Sequence, residues 1–496
     1  MKTTIQILTC KLITNVCKLF KKNGTVYPGS LALKMNGKVL ESIKYPKYVI
    51  GVTGSSGKGS TTSMLAHILK DNGLNVVWNS SGSNVLNGTA TLILNNTNAF
   101  THKLKADVLL LEMDESYIKK TFTKSTLTHL VITNITRDQP ARNGEPEIIL
   151  NKILSSIDEN TEVIINADDP FVNRFSFLHK GPVCIYGINK TSYDLKKPIS
   201  NNVDAAYCPI CHKKLKYTSY HYGHLGVYSC PTKDFVRKTD FTGDNLNLEN
   251  KEMIINGNKV KLNKDVFFAA YYTLAAYSAA SEIGLTDKQI MHALNENTLE
   301  SKRLKTLKLD NREVDMLESK NENNLSYVQS LNYINNHKGP KTIIMGFDNV
   351  SRRYKYNDIS WLYDVDFEVL DTILIDTIST DINRYGVKSV SLDGKKSVTI
   401  TFNAFRESNL NELIVKKLSL TDDARYIKYE YVNNNLTSDE RTRNFVRKVP
   451  DGAIIDENDF VNYKEFENTS LRELRVKMLA SNGNDFTSNI YFKIAE

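Results

Sequence analysis

At 496 residues, 41% hydrophobic and 24% charged, the chain has room for several domains and the composition of an ordinary globular protein. Its formal net charge of +8 is modest and its lysines and arginines are spread along the chain, which argues against a nucleic-acid binder but leaves anionic substrates or a membrane surface open. Six scattered cysteines exclude a disulfide scaffold; with no bilayer-spanning apolar run and no secretory signal pattern, the expected location is cytoplasmic.

Residues 1–45 open on a helical pattern, in which Ile5, Leu8, Leu12, Val16, Leu19 and Phe20 recur with lysines between them. The expectation is a helix that packs this stripe on its own domain, with peripheral membrane contact as the alternative. From about residue 46, short apolar runs alternate with helical segments. The runs are 48–52, 75–78, 108–112, 130–134, 163–166 and 183–186, with a Gly-rich loop and a helix ending near Gly73 after the first. Most are continuous rather than alternating, as strands buried on both faces are. Residues 46–300 therefore read as a doubly wound, mainly parallel α/β domain. Residues 201–235 interrupt it as a small Cys-rich insertion, and a helical pattern returns at 266–283. Residues 301–496 read as a C-terminal α/β domain with runs at 342–345 and 372–375, divergent and without further content beyond about 415.

The loop "VTGSSGKGSTT" at 52–62 turns backbone N–H groups toward one anion at a helix N-terminus. Gly54, Gly57 and Gly59 let the chain turn, Lys58 reaches β- and γ-phosphates, and a hydroxyl of Ser60 or Thr61 suits Mg²⁺. Glu112, Asp114 and Glu115 end an apolar run, and ligands of open α/β sheets bind at such strand ends, so a carboxylate there suits Mg²⁺ too. "TNITRDQ" (133–139) and "NADDP" (166–170) end the next two runs on the same edge. In the insertion, Cys208, Cys211 and Cys230 have the spacing of a zinc ribbon without its fourth thiolate. His212, His221, His224 and Asp234 are candidate fourth ligands; a fold kept by packing without metal is the other reading.

Taken in order, these motifs resemble the Mur ligase superfamily, and within it the MurT-like ligase subunits of lipid II isoglutaminyl synthases. The resemblance runs over roughly residues 5–375 through "VYPGSLALK", the phosphate loop, "SGSNVLNGTATLIL", "LLEMDES", "TNITRDQ", "NADDPFV", the Cys-rich insertion, "YYTLAAYSAASEIGL" and "NDISWLYDVDFEVL". It implies an ATP-dependent carbon–nitrogen ligase that amidates the α-carboxylate of D-glutamate in a lipid-linked peptidoglycan precursor, through an acyl phosphate. The ammonia would come from a GatD-like glutaminase in a heterodimer at the inner membrane surface. ATP and Mg²⁺ are the implied cofactors, with Zn²⁺ in the insertion. By position, Gly54, Gly57, Lys58, Gly59, Ser60 and Thr61 would bind phosphate, Ser60 and Glu112 would hold magnesium, and Asn166, Asp168, Asp169 and Arg303 would lie near the nucleotide. Asp358, before "ISW", would complete the Cys–His pair of the glutaminase. About 45 residues before the loop are too few for the UDP-sugar domain of other Mur ligases, which fits a lipid-linked substrate.

The chain departs from the superfamily pattern where two asparagines hold the nucleotide, placing Ala269 and Tyr272 there. Residues 320–323 and 355–358 replace "NPAG" and "DGRD", and Ala141 replaces an acid. Two further readings stay open: a non-catalytic paralogue that supports or regulates a glutaminase, and an amino-acid ligase like folylpolyglutamate synthase, whose loop the Gly-Lys-Gly-Ser form resembles.

Overall fold

The continuous apolar runs become one parallel sheet, because strands with no polar face are stable only when both faces are covered. The computed structural model describes residues 2–20, 24–80, 84–122, 126–136, 146–197 and 205–296 in full, and eleven later strands between 304 and 493 by their backbone pairing. The chain divides into two compact units, one made mostly of residues 1–318 and the other mostly of 319–496.

In the first unit the strands are β1 (Tyr48–Thr53), β2 (Val76–Trp78), β3 (Val108–Glu112), β4 (His129–Ile132), β5 (Glu162–Asn166), β6 (Val183–Ile188), β7 (Lys216–Tyr222), β8 (Leu225–Ser229), β9 (Phe241–Asn247), β10 (Glu252–Ile255) and β11 (Asn258–Lys261). The helices are α1 (Lys2–Leu19), α2 (Tyr27–Met35), α3 (Lys58–Asp71), α4 (Leu86–Asn95), α5 (Ile118–Thr121), α6 (Pro146–Leu154), α7 (Pro170–Asn173), α8 (Phe175–Leu178), α9 (Phe267–Glu282) and α10 (Asp287–Glu296). The sheet runs β2-β3-β1-β4-β5-β6-β9-β10-β11 and is parallel up to β9, then antiparallel across β10 and β11. β7 and β8 pair with each other as the hairpin of the Cys-rich insertion, and Tyr220 of β7 also bridges Leu195 through two backbone hydrogen bonds.

Two expectations change. The run at 130–134 ends as a strand at Ile132, because the next two residues turn aside to hold the loop after β1. The apolar stripe of α1 is not its packed face. The helix packs on α2 and α4 through Gln6, Ile7, Cys10 and Thr14, while Ile5, Leu8, Leu12, Val16, Leu19 and Phe20 are all exposed. The buried residues of residues 1–45 share one core with the sheet, Ile7, Ala32 and Val39 lying in the same cluster as Leu109, Leu130 and Val163. No helix among the described residues is long and apolar enough to cross a membrane.

A hairpin, β12 (Leu304–Leu309) with β13 (Arg312–Leu317), follows α10. In the second unit β14 (Thr342–Met345) and β15 (Thr372–Ile375) pair in parallel, at the two apolar runs expected there. Beyond them the described segments are antiparallel strands, which give residues past 415 an architecture that their polar sequence did not suggest. Arg303, Gln139, Ala141, Asp358 and residues 320–323 lie outside the described residues.

Candidate active site

β1 sits between β3 and β4, so the chain leaves β1 toward one half of the sheet and later crosses to the other. The carboxyl end of β1 is thus the topological switch point, where open α/β sheets form their binding crevice. Register brings the neighbours level: Val52 pairs with Glu112, and Thr53 with Ile132.

The loop from β1 to α3 is fastened to the end of β4. The Ser55 N–H donates to the Asn134 carbonyl at 2.8 Å, the Ser56 N–H donates to Asn134 Oδ1 at 2.9 Å, and Asn134 Nδ2 donates back to the Ser56 carbonyl at 3.1 Å. The Thr133 hydroxyl donates to the same Ser56 carbonyl at 2.6 Å, and Asn166 Nδ2 holds the Thr133 carbonyl at 3.1 Å from β5. This tight seam is why position 54 is glycine. Its φ is +128°, and a Cβ there would stand 2.3 Å from Thr133 Oγ1 and 2.8 Å from the Asn134 carbonyl oxygen. Gly57 caps α3 with φ +80° in open space. The amides of Lys58, Gly59 and Ser60 follow in the first turn, where a helix supplies no acceptor and its dipole favours an anion.

The Lys58 ammonium is buried and donates to the Gly54 carbonyl, with the Ser55 carbonyl at 3.4 Å, so its charge sits over the loop. The Thr61 hydroxyl is buried and has no hydrogen-bond partner among the described residues. Glu112 is buried at the end of β3, next to the loop. Its backbone is clamped by Asn79, whose Oδ1 accepts from the Glu112 N–H and whose Nδ2 donates to the Glu112 carbonyl, both at 2.8 Å. The run at 75–78 pointed to no role for Asn79, which stands one residue past β2. Asp114 turns back on its own loop, accepting from the Ser116 N–H at 3.0 Å, and Glu115 is buried.

Asp168 and Asp169 are fully buried and their carboxylates are taken up by protein donors. Asp168 accepts from Arg237 Nε at 2.6 Å, the Ile188 N–H at 2.7 Å and the Tyr271 hydroxyl at 2.7 Å, tying β5, β6 and α9 together. Burial disfavours the Arg237 charge, but the adjacent Asp168 outweighs it and raises the guanidinium's pKa. Asp169 caps α7 by accepting from the Phe171 and Val172 N–H groups, and also accepts from the Ile135 N–H at 2.7 Å.

Ala269 and Tyr272 face inward on α9, both buried. The Tyr272 hydroxyl donates to Asn263 Oδ1, so neither position offers an amide. Asn263, just upstream of the helix, was not anticipated.

In the insertion the sulfurs of Cys208, Cys211 and Cys230 lie within 4.8 Å of one another. Amides of Ile210 and Cys211 point at the Cys208 sulfur at 3.4 and 3.5 Å. Two of the candidate fourth ligands are corrected by the structure. His221 bonds Asp194 through Nδ1 at 2.8 Å and the Ile188 carbonyl through Nε2 at 3.0 Å, and His224 Nε2 lies 3.1 Å from Asp169. Both histidines serve the sheet side of the hairpin. The Asp234 carboxylate accepts from the Thr232 hydroxyl at 2.6 Å, and His212 is exposed.

The Mur ligase middle domain matches residues 52–229. The subunit MurT of lipid II isoglutaminyl synthase (glutamine-hydrolyzing) from Staphylococcus aureus strain N315 is 28% identical over 391 residues, 76% of this chain and 84% of that protein. The subunit of the same name from Streptococcus pneumoniae is 27% identical over 415 residues, 80% and 87% of the two chains. Among solved structures, a pseudomurein peptide ligase type C from Methanothermus fervidus superposes with a TM-score of 0.51 at 26% identity, covering 62% of this chain and 60% of its own. With the switch-point loop on the parallel sheet, these matches show a chain that carries a stretch similar to the Mur ligase middle domain and is similar over most of its length to MurT subunits, which supports a divergent, MurT-like Mur ligase.

Proposed function

We propose that this protein is the ligase subunit of a glutamine-dependent lipid II isoglutaminyl synthase. The observation that carries the reading is the fastened β1–α3 loop, with Lys58 over it and Glu112 beside it, in a chain whose MurT relatives match most of its length. In the reaction, the α-carboxylate of the stem-peptide D-glutamate attacks the γ-phosphorus of ATP, the bond to the β-phosphate oxygen breaks, and ADP leaves. Ammonia from a GatD-like glutamine-hydrolysing partner then attacks the acyl carbon, expels phosphate and gives the amide.

The chain's own groups have separable tasks. The first-turn amides of Lys58, Gly59 and Ser60 hold phosphate oxygens, and Lys58 leaves the loop carbonyls to follow the γ-phosphate as negative charge develops. The Thr61 hydroxyl, which has no partner among the described residues, or Ser60, together with Glu112, would hold Mg²⁺, which would supply charge neutralisation at the phosphates. Asn166, Asp168 and Asp169 keep the sheet end and α7 rigid behind the loop. By the resemblance, Arg303 lies near the nucleotide and Asp358 is lent to the partner's catalytic histidine. Cys208, Cys211 and Cys230, whose sulfurs lie within 4.8 Å of one another, would hold a structural zinc ion through three thiolates. The place of action is the cytoplasmic side of the membrane that carries the acceptor.

The test is amide formation on lipid II by the protein co-purified with its glutaminase, with ATP and glutamine. Activity that depends on ATP and falls at least 10²-fold in Lys58→Ala, on the order of one lost phosphate contact in a transition state, supports the reading. Full activity in Lys58→Ala defeats it. Ala269 and Tyr272, which give no amide to a nucleotide, favour one second reading: a subunit that binds no ATP and only supports its partner's glutaminase. Calorimetry with no ATP binding, while glutaminase activity still falls in Asp358→Asn, would establish that alternative.

A further inference from the structure

We infer that the exposed face of α1 is a docking surface for an anionic lipid bilayer. The even scatter of basic residues conceals an uneven net charge. Residues 1–47 hold nine lysines and a single acid, Glu41, and so carry a formal charge equal to the +8 of the whole chain. The other nine-tenths of the sequence sums to zero.

α1 concentrates this charge around an apolar stripe. Ile5, Leu8, Leu12, Val16 and Leu19 fall at spacings of three and four, on the side opposite the packed Ile7, Cys10 and Thr14, and Phe20 follows the last turn. Exposure rises to 65% at Leu12 and 78% at Leu19, values that ordinary packing of a helix on its own domain avoids. The stripe is about 20 Å long at 1.5 Å per residue. Helical geometry sets Lys11 and Lys18 along one border and Lys2 along the other, and α1 contains no acid. Among the described residues, Lys2, Lys11 and Lys18 form no ion pair. Lys11 is instead held below its ordinary pKa by partial burial and by Lys105 nearby. A straight apolar ridge with cations on both sides and no anion matches a plane of anionic headgroups over acyl chains. Lysine stems reach past the ridge to the phosphates while the leucines enter the apolar layer. With 18 residues and interleaved lysines the helix lies in the interface and does not cross it. The inference stands on α1 and does not require the amidation reading.

The test is co-sedimentation of the full chain with vesicles of phosphatidylcholine alone or with one-third phosphatidylglycerol. The expected result is at least tenfold stronger partitioning onto the anionic vesicles, reduced severalfold by 0.5 M salt, because each lysine at such a surface contributes roughly a fivefold gain. The double variant Leu12→Ser/Leu19→Ser, changed only at exposed sites, keeps its circular dichroism and thermal transition but partitions on the order of 50-fold more weakly. Lys11→Gln/Lys18→Gln loses the preference for anionic lipid. Equal partitioning of wild type and the leucine variant overturns the inference. So does a wild-type dimer that the leucine variant dissociates while neither binds vesicles, since a second copy would then cover the stripe. Amide formation on a detergent-solubilised acceptor reads the proposed reaction separately from this surface.

Discussion

Gly54 and Gly57 are three positions apart in one loop, yet alanine should act on them by different mechanisms. At Gly57 the only penalty is a left-handed backbone at φ +80°, since nothing lies within 4 Å of the added methyl, and the cost is about 1 kcal/mol. At Gly54 the backbone penalty at φ +128° is about 1–2 kcal/mol, and the methyl also meets the Thr133 hydroxyl at 2.3 Å and the Asn134 carbonyl at 2.8 Å. Neither obstacle is the far end of a flexible chain, so the loop must lift from β4. Lifting breaks the bonds from the Ser55 and Ser56 N–H groups to Asn134 and from Thr133 to Ser56, each worth about 1 kcal/mol. Gly54→Ala should therefore lose about 3–5 kcal/mol in urea unfolding and lose ATP binding by calorimetry, while Gly57→Ala loses little stability. Equal unfolding free energies for the two variants would refute the seam as the reason for glycine.

Asp168→Asn keeps two of its three acceptor contacts but strands the buried Arg237 charge, and should lower stability by about 3–5 kcal/mol in chemical unfolding; Asp168→Asn/Arg237→Met should recover part of it. Glu162, at the amino end of β5, is raised from 4.5 to about 7 by burial and then by Glu282. Because the folded state then holds a proton that the unfolded chain has released, the stability from this group is full below about pH 4.5 and is lost as pH rises to about 7. In Glu162→Gln that slope should vanish from stability measured across pH 5–7, whereas an unchanged slope assigns it to another group. Protein purified without chelator should carry about one zinc per chain by elemental analysis, and Cys211→Ser should carry almost none while keeping the contacts of His221 with Asp194 and of His224 with Asp169.

The parallel half of the sheet was legible because its strands bury both faces, so Val108–Glu112 appears in the sequence as an unbroken apolar run. The antiparallel edge was not, since β9 and β11 are polar strands with one solvent-facing side. One signal for it was present and went unused: Asn256-Gly257, with φ of +45° and +85°, is the two-residue turn that joins β10 to β11. The phosphate loop could be read from spacing alone, but its fastening could not, because Thr133 and Asn134 lie about 80 residues away and meet it only through β-sheet register. The same limit hid Asn79. Asp168 and Asp169 were visible as acids at a strand end, while their commitment to Arg237, Tyr271 and α7 depends on elements as distant as α9. For α1 the period was right and the direction wrong, because spacing identifies an apolar stripe without saying what covers it.

The paired bonds between the Asn134 side chain and the Ser56 peptide have one more consequence. A side-chain amide here imitates a strand neighbour, adding a final rung to the β1–β4 ladder after the strands themselves have parted. The loop is thereby bonded to the middle of the parallel sheet and serves as a fixed origin. Whatever movement accompanies a catalytic cycle must be measured from it.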